Sequence, residues 1–250
     1  MKIISGHQPA YLPWLGYFHK LSLCDVFVYM DTVQFLDRGY NHRNKIRTPQ
    51  GWTWLTVSID RKGSDYIALN KIRTKSQDSK NDRNHWQKKH WNAIISNYSR
   101  TPYFNRYAKD LERIYLEHIW THLIDLCWAQ FQLFIDWLEM KSKKIVRMSK
   151  TIFLGKKDKL ILEQCLKIKG DGVVFGELGR NYVDPLLFKQ NGIKIYFQKY
   201  QHPKYQQRFY GFEPYMSILD LLMNHGPDSK NILMKNNITI DNLKDGKRWL

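Results

Sequence analysis

The residues best suited to chemistry open the chain, in the run His7-Gln8-Pro9-Ala10-Tyr11-Leu12-Pro13-Trp14-Leu15-Gly16-Tyr17-Phe18-His19-Lys20. An imidazole, an amide and a phenol fall close together there. An imidazole ordinarily titrates near neutral pH, which makes His7 a candidate acid or base. Gln8 and Tyr11 offer neutral donors and acceptors to a polar substrate. A second group is Asp31-Thr32-Val33-Gln34-Phe35, followed by Arg38, Asn41, Arg43, Asn44, Lys45 and Arg47. Arg43 beside Asn44 sets a forked cation next to an amide, apt for phosphate oxygens or sugar hydroxyls. Lys45 adds a point charge, whereas Arg38 and Arg47 read better as a solvated basic face. The third group is Gly176-Glu177-Leu178-Gly179-Arg180-Asn181-Tyr182. Its glycines let backbone approach a ligand and Arg180 can clamp an anion. It lacks both the P-loop lysine pattern and the full dinucleotide fingerprint. A fourth group is Gln201-His202-Pro203-Lys204, and in a fifth Ser217 and Asp220 fit a helix cap better than a site.

The candidates reduce to His7 and Asp31 for chemistry and to Gln8, Tyr11, Gln34, Asn41, Arg43, Asn44, Lys45, Arg180 and His202 for binding. No metal site is expected. His118 and His122 have a metal-ligand spacing, but Ile119 stands where an HExxH motif needs glutamate, so they read as paired surface histidines. Cys24, Cys127 and Cys165 are odd in number, far apart and set among apolar residues, as buried thiols are in a reducing cytosol.

These groups need elements to position them. Residues 2–5 predict a short buried strand, 6–11 a polar loop, and Pro13 the first turn of a helix running to Leu23. A second strand follows at Val26 to Met30 and ends on Asp31. Strand, loop, helix and strand within about thirty residues make a βαβ unit, whose first loop is where α/β folds hold phosphates. The basic stretch Tyr40 to Thr48, the turn Pro49-Gln50-Gly51 and the run Trp52 to Ile59 predict a β-hairpin. Residues 60–81 predict an exposed connection around a strand at Tyr66 to Arg73. From Asp82 to Met140 the apolar period becomes helical, with Ser79 and Asp82 as a capping box and Thr101-Pro102 dividing two helices. The last third predicts helix 158–169, strand 172–175, helix 183–190, strand 193–197 and helix 217–224. Asn191-Gly192 supplies a helix stop. The expected architecture is α/β: a small, mostly parallel sheet with a nucleotide-binding-like first βαβ unit. It forms a single domain over 1–250 built from both ends of the chain, with 82–140 as a helical insert.

Composition narrows the partners. The chain has 250 residues, 43% of them apolar, and 40 Lys and Arg against 23 Asp and Glu, for a formal charge of +17. That balance favours anionic partners. Nucleic acid ranks low, because most tryptophans fall in helical core phase and not interleaved along a basic sheet face. The first residues lack the apolar stretch of a secretory signal, and the most apolar long segment, 114–140, carries Glu117, His118, Asp125, Asp136 and Glu139. No membrane span and a cytoplasmic location are therefore expected.

The motifs His7-Gln8-Pro9 through Phe18, Asp25 to Val28, Asp31 to Phe35, Asn41 to Ile46, Gly51 with Trp54 to Val57, and Phe212 to Gly226 resemble the WbqC-like family of bacterial surface-polysaccharide loci. The resemblance covers almost the whole chain. It departs at Phe175 to Gly179, where the more usual Leu-Ser-Gly-type run and its hydroxyl are missing. It implies an accessory role in O-antigen synthesis among genes for unusual amino sugars. The reaction implied is amide formation on a nucleotide-linked amino sugar, with ATP or acyl-CoA as the possible cofactor. His7 would act as base or electrostatic stabiliser, while Arg43, Lys45 and Arg180 would hold phosphates. A non-catalytic subunit presenting nucleotide-linked or lipid-linked sugar to a glycosyltransferase is the alternative. Inner-membrane-associated polysaccharide assembly enzymes are the implied protein partners.

Overall fold

The computed structural model describes residues 1–60, 67–75 and 85–246. Five strands form one sheet: β1 (Ile3–His7), β2 (Val26–Tyr29), β5 (Lys144–Arg147), β6 (Gly172–Phe175) and β7 (Lys194–Phe197). Their order is β5-β2-β1-β6-β7, and every pairing is parallel. The fold class is therefore α/β with a parallel sheet, as the patterning predicts. A separate antiparallel hairpin joins β3 (Arg43–Thr48) to β4 (Gly51–Thr56).

Side chains alternate across the sheet with a period of two, and both faces are apolar. Ile3, Phe27, Tyr29 and Val174 pack into the larger core. Helices α1 (Leu15–Ser22), α2 (Trp86–Tyr98), α3 (Phe104–Glu112), α4 (Leu123–Trp137) and α7 (Ile218–His225) contribute to that core. Ile4, Val28, Val173 and Phe175 face the other way, against Leu160, Leu162 and Cys165 of α5 (Lys157–Ile168) and Phe188 of α6 (Pro185–Gln190). All three cysteines are buried and free.

Several local expectations need correction. The strand expected over 66–73 is, over its described residues, a short 3-10 turn at Leu69–Lys71 flanked by isolated bridges. Asn70 and Lys71 favour a turn over a pleated ladder there. The Ser79 and Asp82 capping box lies outside the described residues. Within them the side chain of His85 caps α2 by accepting from the Gln87 N–H. A π-helical turn, Arg113–Glu117, follows α3, and His118 and His122 stand in the break before α4. Strand β5 was not expected. It is an edge strand with Lys144 exposed and Ile145 to Arg147 half-buried, and its charged ends mask the pattern. Two short helices, α8 (Ser229–Met234) and α9 (Ile240–Lys244), were also missed.

From β1 the chain steps outward to β2 and β5, then returns across β1 to β6 and β7. The direction of winding reverses between β1 and β6. In open α/β sheets a crevice forms at the carboxyl ends of the two strands where this happens.

Candidate functional site

A cavity of about 540 Å³ occupies that crevice. Its walls include Gly6 and His7 at the end of β1 and Gln8 just after it, Trp14, Gly16, Tyr17 and Lys20 on and before α1, Leu36, the segment Gly176–Gly179, and Gln198 after β7. Gly16 allows this approach: a Cβ there would stand 3.1 Å from the Tyr200 ring and 3.2 Å from the Trp14 indole nitrogen. A hollow of similar size, about 520 Å³, borders edge strand β7, but among the described residues no histidine, cysteine or carboxylate lines it.

His7 is half-buried between the rings of Trp14 and Tyr17, with centroids at 5.3 and 4.8 Å. Its Nδ1 lies 2.9 Å from the Gln8 carbonyl oxygen, which can only accept, so Nδ1 carries the proton and Nε2 the lone pair. Burial first and the charge of Lys20 second lower its pKa to about 3. His7 is thus neutral at pH 7 and accepts at Nε2. Lys20 is 7% exposed and donates to the Gly6 carbonyl at 2.8 Å, using one of its three donors. Burial lowers its pKa to about 8, so it remains mostly cationic at pH 7. Gln198 donates to the Gly16 carbonyl at 2.9 Å and to Nδ1 of His19 at 2.8 Å, tying the end of β7 to α1. Among the described residues the cavity therefore presents the Lys20 cation, the first turn of a helix and the imidazole of His7, with the carboxylate of Glu177 also in its lining. Such a set can bind an anion and accept a proton or hydrogen bond beside it.

Of the eleven side chains proposed for chemistry or binding, only His7 and Gln8 line this cavity, joined by Gly176 to Gly179 and Tyr182 of the third sequence group. Asp31 is fully buried, and its carboxylate takes Arg147 Nε at 2.9 Å, Ser149 N at 2.7 Å and Ser149 Oγ at 2.6 Å. It fastens the ends of β2 and β5, so its acceptors are committed. Tyr11 is buried between Nδ1 of His90 at 2.7 Å and the Tyr115 hydroxyl at 2.5 Å. Asn41 donates to the Pro9 carbonyl at 2.7 Å and accepts from the Leu36 N–H at 3.0 Å. Asn44, also fully buried, donates to the Leu12 carbonyl at 2.5 Å.

Leu12 holds a φ of +44°, which an L-residue adopts only under constraint, and its N–H donates to Gln130 Oε1 at 3.1 Å. Asn41, Asn44 and Gln130 are thus clamps on the loop that carries His7 and Gln8. Gln34 is exposed and bridges to Ala68. Both ring nitrogens of His202 are used: Nδ1 donates to the Pro203 carbonyl and Nε2 accepts from the Tyr215 N–H. Arg180 lies exposed over the Phe197 ring at 4.6 Å, just beyond the lining loop. Gly179 is needed for its own loop to close, since a Cβ would come 2.7 Å from that of Phe175.

Arg43 and Lys45 stand on the outer face of the hairpin. Arg43 donates to the carbonyls of Gly39 and Arg38 and lies 4.7 Å from the Trp54 ring centroid, while Lys45 Nζ lies 3.9 Å from that of Trp52. Basic and aromatic side chains therefore do interleave on one sheet face, contrary to the sequence expectation. Lys20 was missed as a site residue. Its spacing of four from Gly16 on α1 is the signal that would have found it.

Among the described residues no group of three or more His, Cys, Asp or Glu is placed to share a metal ion, and no helix is long and apolar enough to cross a membrane. No solved structure matches the chain. The protein titled "Uncharacterized protein Rv1507c" from Mycobacterium tuberculosis (strain ATCC 25618 / H37Rv) is 32% identical over 234 residues, covering 93% of this chain and 98% of that protein. The model of the WbqC-like protein family matches residues 8–232, most of the chain and every wall of the cavity but part of β1, and the chain belongs to that family.

Proposed function

We propose that the protein is a cytoplasmic enzyme of surface-polysaccharide synthesis that forms an amide on the amine of a nucleotide-activated amino sugar. The observation that carries this reading is the pairing of buried Lys20 with the unprotonated Nε2 of His7 in the crevice between β1 and β6. Lys20 and the first turn of α1 attract the diphosphate. Glu177 offers an anionic partner to the sugar's amino group. In the chemical step the free amine attacks the acyl carbon and a C–N bond forms. The bond from that carbon to the leaving oxygen or sulfur breaks, and the amine proton passes to Nε2 of His7. The acyl or aminoacyl donor is an adenylate formed from ATP, or an acyl-CoA thioester.

A second reading is favoured by one observation. A pKa of about 3 makes His7 a weak base, as suits a subunit that binds a nucleotide-linked sugar and hands it to a glycosyltransferase. Incubation with a panel of nucleotide amino sugars plus ATP, amino acids and acyl-CoA donors, followed by mass spectrometry, separates the two. The enzyme reading expects a mass gain equal to one acyl group, and His7→Ala should lower turnover by roughly 10²–10⁴. Binding without any mass gain supports the carrier reading, and absence of binding refutes both.

A further inference from the structure

The rim of the cavity continues onto the hairpin as a ladder of rings. His7 in the wall meets Trp14 at 5.3 Å, Trp14 meets Tyr40 at 5.2 Å, Tyr40 meets Trp54 at 5.9 Å, and Trp54 meets Trp52 at 5.9 Å. Tyr40 is 43% exposed and Trp52 42% exposed, while Trp14 and Trp54 are half-buried. The register explains the arrangement. Lys45 pairs with Trp54 and Arg47 with Trp52, while Asn44, Ile46 and Leu55 turn the other face into the core; Arg47 is itself buried, donating to Gln207 and to the Gly51 and Tyr210 carbonyls instead of standing on a solvated basic face. The platform is held firmly. The Tyr11 N–H donates to the Tyr40 carbonyl at 3.1 Å, and Arg43 is fixed over Trp54 by two backbone carbonyls.

Large rings are costly to leave in water unless something covers them. What this face can cover is set by its composition: π surfaces with the Arg43 guanidinium over Trp54 and the Lys45 ammonium over Trp52, beginning with Tyr40 two rings away from His7. That is the chemistry of a planar heteroaromatic ring joined to phosphate.

We infer that the Tyr40–Trp54 face is the nucleoside half of the binding site, where the base stacks, Arg43 and Lys45 flank the phosphate next to the nucleoside, and the cavity takes the sugar end with Lys20 on the phosphate next to the sugar. This rests on the reading of the cavity as a nucleotide-sugar site. It also gives Arg43 and Lys45 a place at the rim, apart from Lys20 within. Pyranose rings alone and single-stranded nucleic acid are the competing occupants, and each has its own signature.

Calorimetric titration with inorganic pyrophosphate and with UDP, GDP and dTDP tests the inference. Wild type should bind pyrophosphate, and should bind at least one nucleoside diphosphate roughly five- to a hundredfold more tightly. Tyr40→Ala and Trp54→Ala should bring that nucleotide's affinity down towards the pyrophosphate value, with pyrophosphate affinity held within about twofold, as expected of a stacking loss. Tyr40→Phe and Trp54→Phe, which keep a ring and guard against misfolding, should retain most of the gain. Equal affinity for pyrophosphate and all the nucleotides, or unchanged nucleotide binding in both alanine variants, overturns the platform and leaves the cavity reading intact. Failure of wild type to bind either probe overturns both. Tight, salt-sensitive binding of an oligothymidylate that nucleotides do not displace, or binding of neutral oligosaccharides lost in Trp54→Ala, assigns the face to another ligand and also refutes the inference.

Discussion

Replacing Lys20 by methionine keeps the length of its stem and removes the charge. Two consequences of opposite sign follow. A charge-assisted hydrogen bond to phosphate is worth about 1.5–3 kcal/mol, so pyrophosphate should bind roughly ten- to a hundredfold more weakly. Stability should move the other way. Burial lowers the Lys20 pKa from 10.5 to about 8, and that difference corresponds to roughly 3 kcal/mol of cost in holding the ammonium inside at pH 7. Loss of the bond to the Gly6 carbonyl returns about 1 kcal/mol of this, leaving the variant more stable than wild type by up to about 2 kcal/mol. Because the unfolded chain holds more protons than the fold between pH 8 and 10.5, wild type should gain stability across that window and the variant should not. Phosphate affinity of wild type, by contrast, should fall as pH rises through 8 and the cation is lost. Urea unfolding at pH 7, 9 and 10.5 alongside pyrophosphate titration measures both. A Lys20→Met protein that is less stable and binds pyrophosphate as well as wild type would show that the lysine is a structural tether only.

Three other outcomes are expected. Asp220 is fully buried and its pKa is raised to about 6, first by burial; a raised acid favours the fold when protonated, so its contribution fades as pH rises from 4 through 6. Asp220→Asn should flatten that part of the stability-versus-pH curve, and an unchanged slope in denaturant titrations would contradict the assignment. Asn44→Ala releases the Leu12 carbonyl and should cost about 1–3 kcal/mol in chemical denaturation. The same change should weaken pyrophosphate binding, since the loop bearing His7 loses a clamp, and binding unaffected by it would separate that loop from the site. Finally, the chain is proposed to fold as one domain over 1–250 with 82–140 as a helical insert. Tryptophan fluorescence and far-UV circular dichroism should then report a single coincident unfolding transition.

The sheet was legible because β2 and β6 are short continuous apolar runs between turn residues, the pattern of strands buried on both faces, and β1 opens on the apolar pair Ile3-Ile4. Lys144 to Arg147 was not, because an edge strand with basic ends resembles a loop. The neighbourhood of the site was legible too, since a loop between a first strand and its helix is a general phosphate-binding place. The roles within it were not. Asn41 and Asn44 have the right chemistry for sugar hydroxyls, yet backbone carbonyls of a strained loop take up the same donors first. Asp31 ends a strand where ligand groups often stand, and a serine and an arginine more than a hundred residues later claim its oxygens. Such competition between a ligand and the protein's own backbone is invisible in one dimension. Lys20 shows the converse, since its residue type is that of any surface lysine and only its place on α1, one turn after Gly16, marks it as turned inward.

The pairing of β1 with β6 also sets a timetable. Ser5 Oγ donates to the Val174 carbonyl at 2.8 Å, across a sequence separation of 169 residues. At ribosomal rates of about 5–20 residues per second, the two walls of the cavity are synthesised on the order of ten to thirty seconds apart. Throughout that interval β1 keeps an open edge, a place where strands of other chains can pair. Ligand binding at the crevice is consequently available only to chains whose translation has passed β6, which makes nucleotide or pyrophosphate binding a sensor of finished folding as well as a measure of affinity.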